Sequence, residues 1–156
     1  MNLRDIFKNN QLLNEKRRIE LNEDCIFCKI VNGQIPSKIV FENDTNMAFL
    51  DINPISQGHT IVIPQKHYST IESLPDEEVS NLFKTVKKVA SLIHDKLDID
   101  GYNIIQNNFR AAGQMVEHSH VHIIPRNRRD RKISLNIPKK QASDEELEKV
   151  MKKLTS

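Results

Sequence analysis

The sequence has little cysteine and no long apolar run. Cys25 and Cys28 are its only cysteines, and in a reducing compartment their Cys-x-x-Cys spacing favours metal or redox chemistry over a structural disulfide. No stretch of about 18 apolar residues is present, which argues against a membrane span, and the first residues lack the apolar core of a signal peptide. We therefore expect a cytoplasmic protein with no membrane partner.

The sequence also lacks a charge imbalance. Its 23 Lys and Arg against 21 Asp and Glu leave a formal net charge of +2, so a dedicated nucleic-acid-binding protein is not expected. One basic cluster, residues 126–132, is compatible with a solvated loop and with docking of phosphate or RNA. With 38% hydrophobic residues, 28% charged residues and no internal repeat, a soluble globular protein with a sizeable core is expected.

Histidine, in contrast, is concentrated in one place. Three of the six histidines are His118, His120 and His122, in the run His-Ser-His-Val-His-Ile-Ile-Pro-Arg. In an extended chain these imidazoles share one face, about 6.5 Å apart. Imidazole serves as metal ligand, proton-transfer group and nucleophile. An edge strand that shows histidines to solvent is the alternative, whereas an expression tag does not fit an internal run interleaved with apolar residues.

The hydrophobic pattern predicts an α+β fold: a mainly antiparallel five-stranded sheet with one long helix packed on it, plus N- and C-terminal helical extensions. We predict strands at residues 38–42, 46–51, 59–64, 102–107 and 116–125. We divide the chain into an N-terminal helical extension (1–23), a main domain (24–132) and a C-terminal tail with a short amphipathic helix (133–156).

Helix signals place the predicted helices. A short helix runs from Cys25 to a stop at Gly33. The long helix is capped by Ser73, has Pro75 in its first turn, and repeats apolar residues at helical spacing up to residue 97. Ser143 and Glu146 form a capping box that predicts the C-terminal helix.

The histidine run, with several ordered motifs, resembles the Hint-like branch of the histidine triad family. The family signature is His-x-His-x-His followed by two apolar residues, here His118 to Ile124. The motifs that support this resemblance include Cys25-Ile-Phe-Cys28, Ala48-Phe-Leu-Asp51, Gly58-His59-Thr, Pro64-Gln-Lys-His67 and Gly113-Gln114-Met. The resemblance covers about residues 24 to 129 and makes the main domain a histidine triad (HIT) domain.

The resemblance implies a structural zinc site. Two cysteines cannot complete the four ligands of a closed tetrahedral site, and zinc-containing family members imply that Cys25 and Cys28 are joined by His67 and His118. The alternative is that both cysteines are small buried apolar residues.

The resemblance also implies three catalytic histidines. His120 would be the nucleophile that attacks an α-phosphorus to form a nucleotidyl-histidine, His122 would donate a proton to the phosphate or a bridging atom, and His59 would orient His120. An attacking imidazole needs one nitrogen free of its proton and the other donating to a fixed acceptor. His94 matches no motif and is read as a surface histidine.

A nucleotide-binding set follows from the same resemblance. Asp51 would grip the ribose hydroxyls, although a turn residue before Asn53-Pro54 is the alternative. Gly113 lies in a loop suited to bringing N–H groups close to an anion, or in a simple hairpin loop. The other implied contacts are the base slot of Ile26, Phe27 and Phe49, each also compatible with ordinary core, the phosphate contacts Asn107 and Gln114, and Met115, His120 and His122.

Met115 departs from the family pattern, because Hint-type members usually carry Ser or Thr there. The missing hydroxyl puts leaving-group preference and turnover in question, though not nucleotide binding. The predicted function is a nucleotide hydrolase or nucleotidyl transferase that cleaves purine nucleoside phosphoramidates or related conjugates, as a homodimer with the long helix and a strand edge at the interface. The alternatives are a nucleotide-binding scaffold protein, a dinucleoside polyphosphate hydrolase and, less favoured, a nucleic-acid deadenylating enzyme.

Overall fold

The computed structural model describes residues 22–133 and 141–156. The predicted N-terminal helix therefore lies almost wholly outside the described residues. Within them, three helices are α1 (Ile26–Val31), α2 (Asp76–Lys96) and α3 (Asp144–Thr155). The strands are β1 (Ile39–Glu42), β2 (Asn46–Leu50), β3 (Thr60–Pro64), β4 (Gly101–Ile105) and β5 (Val121–Arg126), and short 3-10 helices span Ile71–Ser73 and Arg110–Ala112.

The five strands form one sheet in the order β1-β2-β3-β5-β4. Each neighbouring pair is antiparallel, which confirms the predicted fold class. No helix in the two described ranges has the length and hydropathy that crossing a membrane requires.

The long helix α2 covers one face of the sheet. Ala48, Val62 and Val121 point to that face and are fully buried against it, because alternate residues of a strand share a face. α2 contributes the matching apolar side of the core at Leu82, Val86, Val89, Ala90 and Ile93. This packing confirms the predicted role of the helix.

The opposite face of the sheet carries the short helix α1. Met47, Phe49, Ile61 and Ile63 form a second core cluster with Cys25, Phe27, Cys28 and Val31. Asn32 ends α1 and Gly33 follows with φ +72°, a conformation that glycine adopts at little cost. α1 thereby brings both cysteines onto the sheet.

The helix starts agree only in part with prediction. Ser143 and Glu146 form the predicted capping box at α3. The prediction that Ser73 caps the long helix was wrong: Pro75 occupies the N-cap. Ser73 instead bonds with Thr70 across the 3-10 turn at Ile71–Ser73, because a hydroxyl satisfies whichever free N–H its local turn presents.

The triad lies on a strand only in part. β5 begins at Val121, so His118 and His120 precede it, and the expected strand over 116–125 was too long at its start. The His118 N–H donates to the Val116 carbonyl at 2.8 Å, and the Ser119 N–H donates to the Tyr68 carbonyl. These bonds take the place of strand pairing before β5. His118 and His120 therefore do not lie in one regular row with His122.

Candidate active site and metal centre

The strand register builds the floor of the site. Phe49 pairs with Ile61, and Ile61 pairs with His122, so these side chains form a row across three strands on the α1 face. One step further along, the Asp51 N–H donates to the His59 carbonyl. The antiparallel sheet thus brings together residues far apart in the chain.

A cavity of about 410 Å³ opens above this floor. Eight of the ten predicted nucleotide-binding residues line it: Ile26, Phe27, Phe49, Asp51, Gly113, Met115, His120 and His122. Asn107 and Gln114 are not among its lining residues. A cavity of about 480 Å³ lies at the end of α2, but no histidine lines it, so the chemistry favours the first cavity.

Seven further apolar residues line the same cavity and were not predicted: Ile30, Ile35, Pro36, Leu50, Ile52, Ile61 and Val116. Ile30 lies one turn after Ile26 in α1, and this helical spacing could have indicated a shared face. Ile52 directly follows Asp51. The cavity wall is therefore more apolar than the motifs alone suggested.

His120 is held in one tautomer. Its Nδ1–H donates to the His118 backbone carbonyl at 2.6 Å, so its Nε2 is left with a lone pair. The ring is buried and packs edge-on against Phe27, with centroids 5.2 Å apart. Burial lowers the pKa of His120, against an opposing effect of its bond to His118. A neutral imidazole with a free nitrogen lines the cavity.

His59 does not orient His120, contrary to expectation. His59 Nδ1 accepts the Ile55 N–H at 3.2 Å, which leaves the proton on Nε2, and Nε2 lies 2.9 Å from His122 Nδ1. His59 therefore donates to His122, whose own proton must then sit on Nε2. The orienting partner of His120 is the preceding histidine's carbonyl, because that carbonyl is only two residues away.

Burial keeps this pair neutral. It lowers the pKa of His122 to about 4, with further lowering by His120 and His59. The pKa of His59 is also lowered by burial, partly offset by Asp51. Two hydrogen bonds connect the Ile55 N–H to His59 and His59 to His122, and we call this series the relay. Near neutral pH neither ring of the relay is charged.

Asp51 stands at the edge of this relay. Its Oδ1 accepts the Asn53 N–H at 2.8 Å, and its Oδ2 lies 3.6 Å from His59 Nδ1. Asp51 therefore does stabilise the turn before Asn53-Pro54, which was the alternative to ribose binding, and its side chain also lines the cavity. One carboxylate oxygen makes no hydrogen bond to the described residues and is available to a ligand.

The loop before the triad is strained and braced. Phe109 has φ +68° and Gly113 has φ +87°; the first value is costly for a residue with a side chain. The buried Gln114 side chain accepts the Phe109 N–H at 2.7 Å and donates to the Ser69 carbonyl at 2.6 Å. The structure therefore gives Gln114 a bracing task, since both ends of its amide are already bonded.

Met115 follows this brace and is 90% exposed while lining the cavity. A fully exposed thioether adds no core packing, and the position offers no hydroxyl to a ligand. Met115 therefore belongs to the rim of the site.

Behind the cavity, the four predicted metal ligands converge. Cys25, Cys28, His67 and His118 place one ligand atom each within 4.8 Å of one another. His118 Nδ1 lies 3.5 Å from Cys25 Sγ and 3.6 Å from Cys28 Sγ, and His67 Nδ1 lies 3.4 Å from Cys28 Sγ. Tetrahedral zinc with ordinary Zn–S and Zn–N bonds requires S···N separations of about 3.6 Å. The cluster could therefore bind a metal of this type.

The tautomer of His118 also suits a metal. Its Nε2 lies 2.9 Å from the Pro64 carbonyl and donates to it, which leaves Nδ1 with the lone pair that ligation needs. Burial lowers the pKa of His118 to about 4 and raises the pKa of the Cys28 thiol to about 11. Metal binding would have to displace that thiol proton.

The basic cluster at residues 126–132 is partly neutralised. The Arg126 guanidinium donates to Asp130 and to Asn103 Oδ1, and Arg126 holds the pKa of Asp130 well below its usual range. This network favours a structural loop over a free phosphate-docking site.

Comparisons with known proteins identify the family of this chain. A HIT domain family model matches residues 32–129, a range that excludes both cysteines. An uncharacterized HIT-like protein of Methanocaldococcus jannaschii is 56% identical over 102 residues, which are 65% of this chain and 78% of that protein. An adenosine 5′-monophosphoramidase of Schizosaccharomyces pombe is 39% identical over 132 residues, covering 85% of this chain and 96% of that protein.

Solved structures show the same fold. A HIT family protein from Bacillus anthracis has a TM-score of 0.79 at 36% identity, and a zinc-bound histidine triad family protein from Mycobacterium smegmatis has 0.68 at 32% identity. Each comparison covers 85% of this chain and 96% of the other. With the family model matching well over half of the sequence, this chain belongs to the histidine triad, or HIT, family.

Proposed function

We propose that this protein is a nucleotide hydrolase that cleaves purine nucleoside phosphoramidates or related conjugates at the α-phosphate. Relatives named adenosine 5′-monophosphoramidase support hydrolase activity on nucleotides. One observation carries the residue assignment: His120 offers an unprotonated Nε2 to the cavity because its Nδ1–H is bonded to the His118 carbonyl.

The proposed reaction has two steps. His120 Nε2 attacks the α-phosphorus, the bond from phosphorus to the leaving nitrogen breaks, and that nitrogen takes up a proton from solvent as the amine departs. Water then attacks the same phosphorus and gives a proton back to solvent, the P–N bond to His120 breaks, and the nucleoside monophosphate leaves. A covalent histidine intermediate divides one difficult displacement into two easier ones.

His122 is the proposed donor to the developing charge. With its Nδ1 accepting from His59, the remaining Nε2–H can donate to a phosphoryl oxygen or to the leaving nitrogen. Its pKa of about 4 makes it a neutral hydrogen-bond donor near pH 7, while Asp51 would accept from the ribose hydroxyls.

We also propose zinc at Cys25, Cys28, His67 and His118, whose spacing fits a tetrahedral ion. When bound, zinc would cross-link α1 to the segment before β5. The ion takes no part in the phosphoryl transfer.

A homodimer through α2 and the edge strand β4 is likewise proposed, because Phe83, Tyr102 and Ile104 are exposed there and an unpaired edge invites strand pairing. A cytoplasmic location stays a prediction.

The alternative is a nucleotide-binding scaffold protein with little turnover. The exposed Met115 motivates it, because a hydroxyl donor is missing at the rim. A dinucleoside polyphosphate hydrolase is the other alternative, for which the cavity volume of about 410 Å³ gives no specific support.

Hydrolysis of adenosine 5′-phosphoramidate tests the proposal. We expect turnover by the wild-type protein, loss of at least about a thousandfold in His120→Ala, and unchanged turnover in His94→Ala, whose histidine is exposed on α2. Mass spectrometry after an alkaline quench should locate the adenylyl group on His120. Binding of adenosine monophosphate without turnover would favour the scaffold alternative, and activity in His120→Ala would contradict the mechanism.

A further inference from the structure

The C-terminal helix α3 is well formed but covers none of its apolar side chains. Its start has a complete capping box between Ser143 and Glu146, yet every residue of 141–156 is exposed. The exposed fractions of its apolar side chains are 56% for Leu147, 54% for Val150, 54% for Met151 and 81% for Leu154. Nothing in the described part of this chain buries that surface.

These four residues form one stripe. Their spacing of i, i+3, i+4 and i+7 places them within about 100° of the helix circumference. A helix of 12 residues is marginal in water unless its apolar face packs against something. A surface that covers α3 must therefore match its charges as well as its apolar stripe.

The charges of α3 are divided between its two ends. Asp144, Glu145, Glu146 and Glu148 lie in the first half, Lys149 lies at the middle, and Lys152 and Lys153 lie in the second half. We propose that α3 pairs in antiparallel orientation with α3 of a second copy of this chain. The antiparallel pair sets each acidic half beside a lysine half, whereas a parallel pair would place acid beside acid and lysine beside lysine.

The apolar stripe fits the same two-fold arrangement. With the axis near Val150 and Met151, Leu147 lies opposite Leu154 of the second copy, and Val150 lies beside Val150. On the flank of the stripe, Glu146 comes near Lys153 of the second copy, because both residues lie about 100° from the centre of the stripe on the same side of the helix. Such an interface uses the same surface on both chains, as a closed two-fold dimer requires.

The helix α3 is too short to hold two copies together by itself. Twelve residues make a helix about 18 Å long, and four apolar side chains per copy bury less than the roughly 1,200 Å² of a stable standard interface. The pairing is therefore an added contact that strengthens association between two copies held at another surface as well. It does not depend on the proposed activity.

Cysteine cross-linking of the full-length protein tests the pairing. Val150→Cys places a thiol near the two-fold axis, and Lys149→Cys places one at almost the same height on the opposite side of the helix. Under mild oxidation we expect Val150→Cys to form a covalent dimer at least about tenfold faster than Lys149→Cys. Peptide mapping should join two copies of the α3 peptide, which excludes linkage to Cys25 or Cys28.

The charge arrangement supplies a second test in the Val150→Cys background. Lys153→Glu should slow cross-linking several-fold, because it places an added carboxylate near Glu146 of the second copy, whereas the same charge change at Lys152, on the opposite side of the helix, should leave the rate unchanged. Far-UV circular dichroism confirms that each variant is folded. Equal rates for Val150→Cys and Lys149→Cys would overturn the pairing. The pairing would also be overturned if Val150→Cys cross-linked slowly while its thiol was protected from alkylation, because α3 would then lie against a different surface.

Discussion

His118 supplies the acceptor for the proposed nucleophile His120. Its backbone carbonyl takes the His120 Nδ1–H at 2.6 Å, while its side-chain Nδ1 lies within 3.6 Å of both cysteine sulfurs and its Nε2 donates to Pro64. Phe27, between the two cysteines in sequence, packs edge-on against both rings. One residue therefore joins the proposed metal site to the cavity proposed to bind the nucleotide.

Loss of the metal should impair His120 through this connection. We expect Cys28→Ser to lose bound zinc, measured by plasma mass spectrometry, and to lower both the melting temperature and kcat, the latter by about tenfold or more. Chelation of the wild-type protein should give the same changes, and adding zinc back should reverse them only in the wild type. A zinc-free protein with full activity and unchanged melting temperature would show that the cluster does not position His120.

Removing His59 should affect turnover more than binding. His59→Ala deprives His122 Nδ1 of its donor, so the His122 proton is no longer fixed on Nε2. We expect kcat to fall by about 10- to 100-fold, while the dissociation constant for adenosine monophosphate, measured by calorimetry, changes by less than about threefold. His94→Ala, whose histidine is exposed on α2, is the control and should change neither kcat nor the dissociation constant. A large loss of nucleotide affinity in His59→Ala would indicate a direct binding role instead.

His122 should make the fold less stable in acid. Its folded pKa is about 4 against an ordinary value of 6.5, so between these values the unfolded chain binds more protons than the native one. Stability contributed by the neutral ring is present above pH 6.5 and is lost as pH falls towards 4.

Urea unfolding of the wild type and of His122→Asn at pH 7 and pH 5 tests whether His122 lowers stability as the pH falls. The wild type should lose more unfolding free energy between the two pH values than the variant does. The difference between the proteins isolates His122 from the other buried histidines, which titrate in the same direction. Equal losses would mean that His122 keeps an ordinary pKa.

Gln114 should stabilise the strained loop. Gln114→Ala leaves the Phe109 N–H and the Ser69 carbonyl without their partner, and we expect a loss of about 1–3 kcal/mol in unfolding free energy. Phe109→Gly should restore part of that loss in the double variant, because glycine tolerates φ +68°. Denaturant unfolding measures both. No recovery in the double variant would show that backbone strain is not what Gln114 opposes.

Met115 should limit turnover without affecting stability. Because its side chain is 90% exposed, Met115→Ser should change unfolding free energy by less than about 0.5 kcal/mol. A new hydroxyl beside the cavity should raise kcat for a phosphoramidate up to about tenfold. Met115→Ala removes the thioether without adding a donor and should not raise kcat. An equal increase of kcat in both variants would show that the size of the Met115 side chain, and not the missing hydroxyl, limits turnover.

The sequence by itself determined most of the helices and strands and indicated the candidate reactive groups. The apolar runs of β2 and β3 predict strands from local sequence alone, but because both faces are buried they do not show which residues face α2. The capping box at Ser143 is likewise local, since its bonds span three residues. The Cys-x-x-Cys and His-x-His-x-His spacings, read through the family resemblance, predicted four residues whose ligand atoms the structure places within 4.8 Å of one another.

Only the tertiary structure decided which histidine serves which partner. The sequence suggested that His59 orients His120, but the sheet register sets β3 beside β5 and brings His59 to His122. Gln114 could not be predicted as a brace, because Ser69 lies 45 residues away. A hydrogen bond depends on atoms within about 3 Å in space, and sequence spacing specifies that distance only within a single turn or strand.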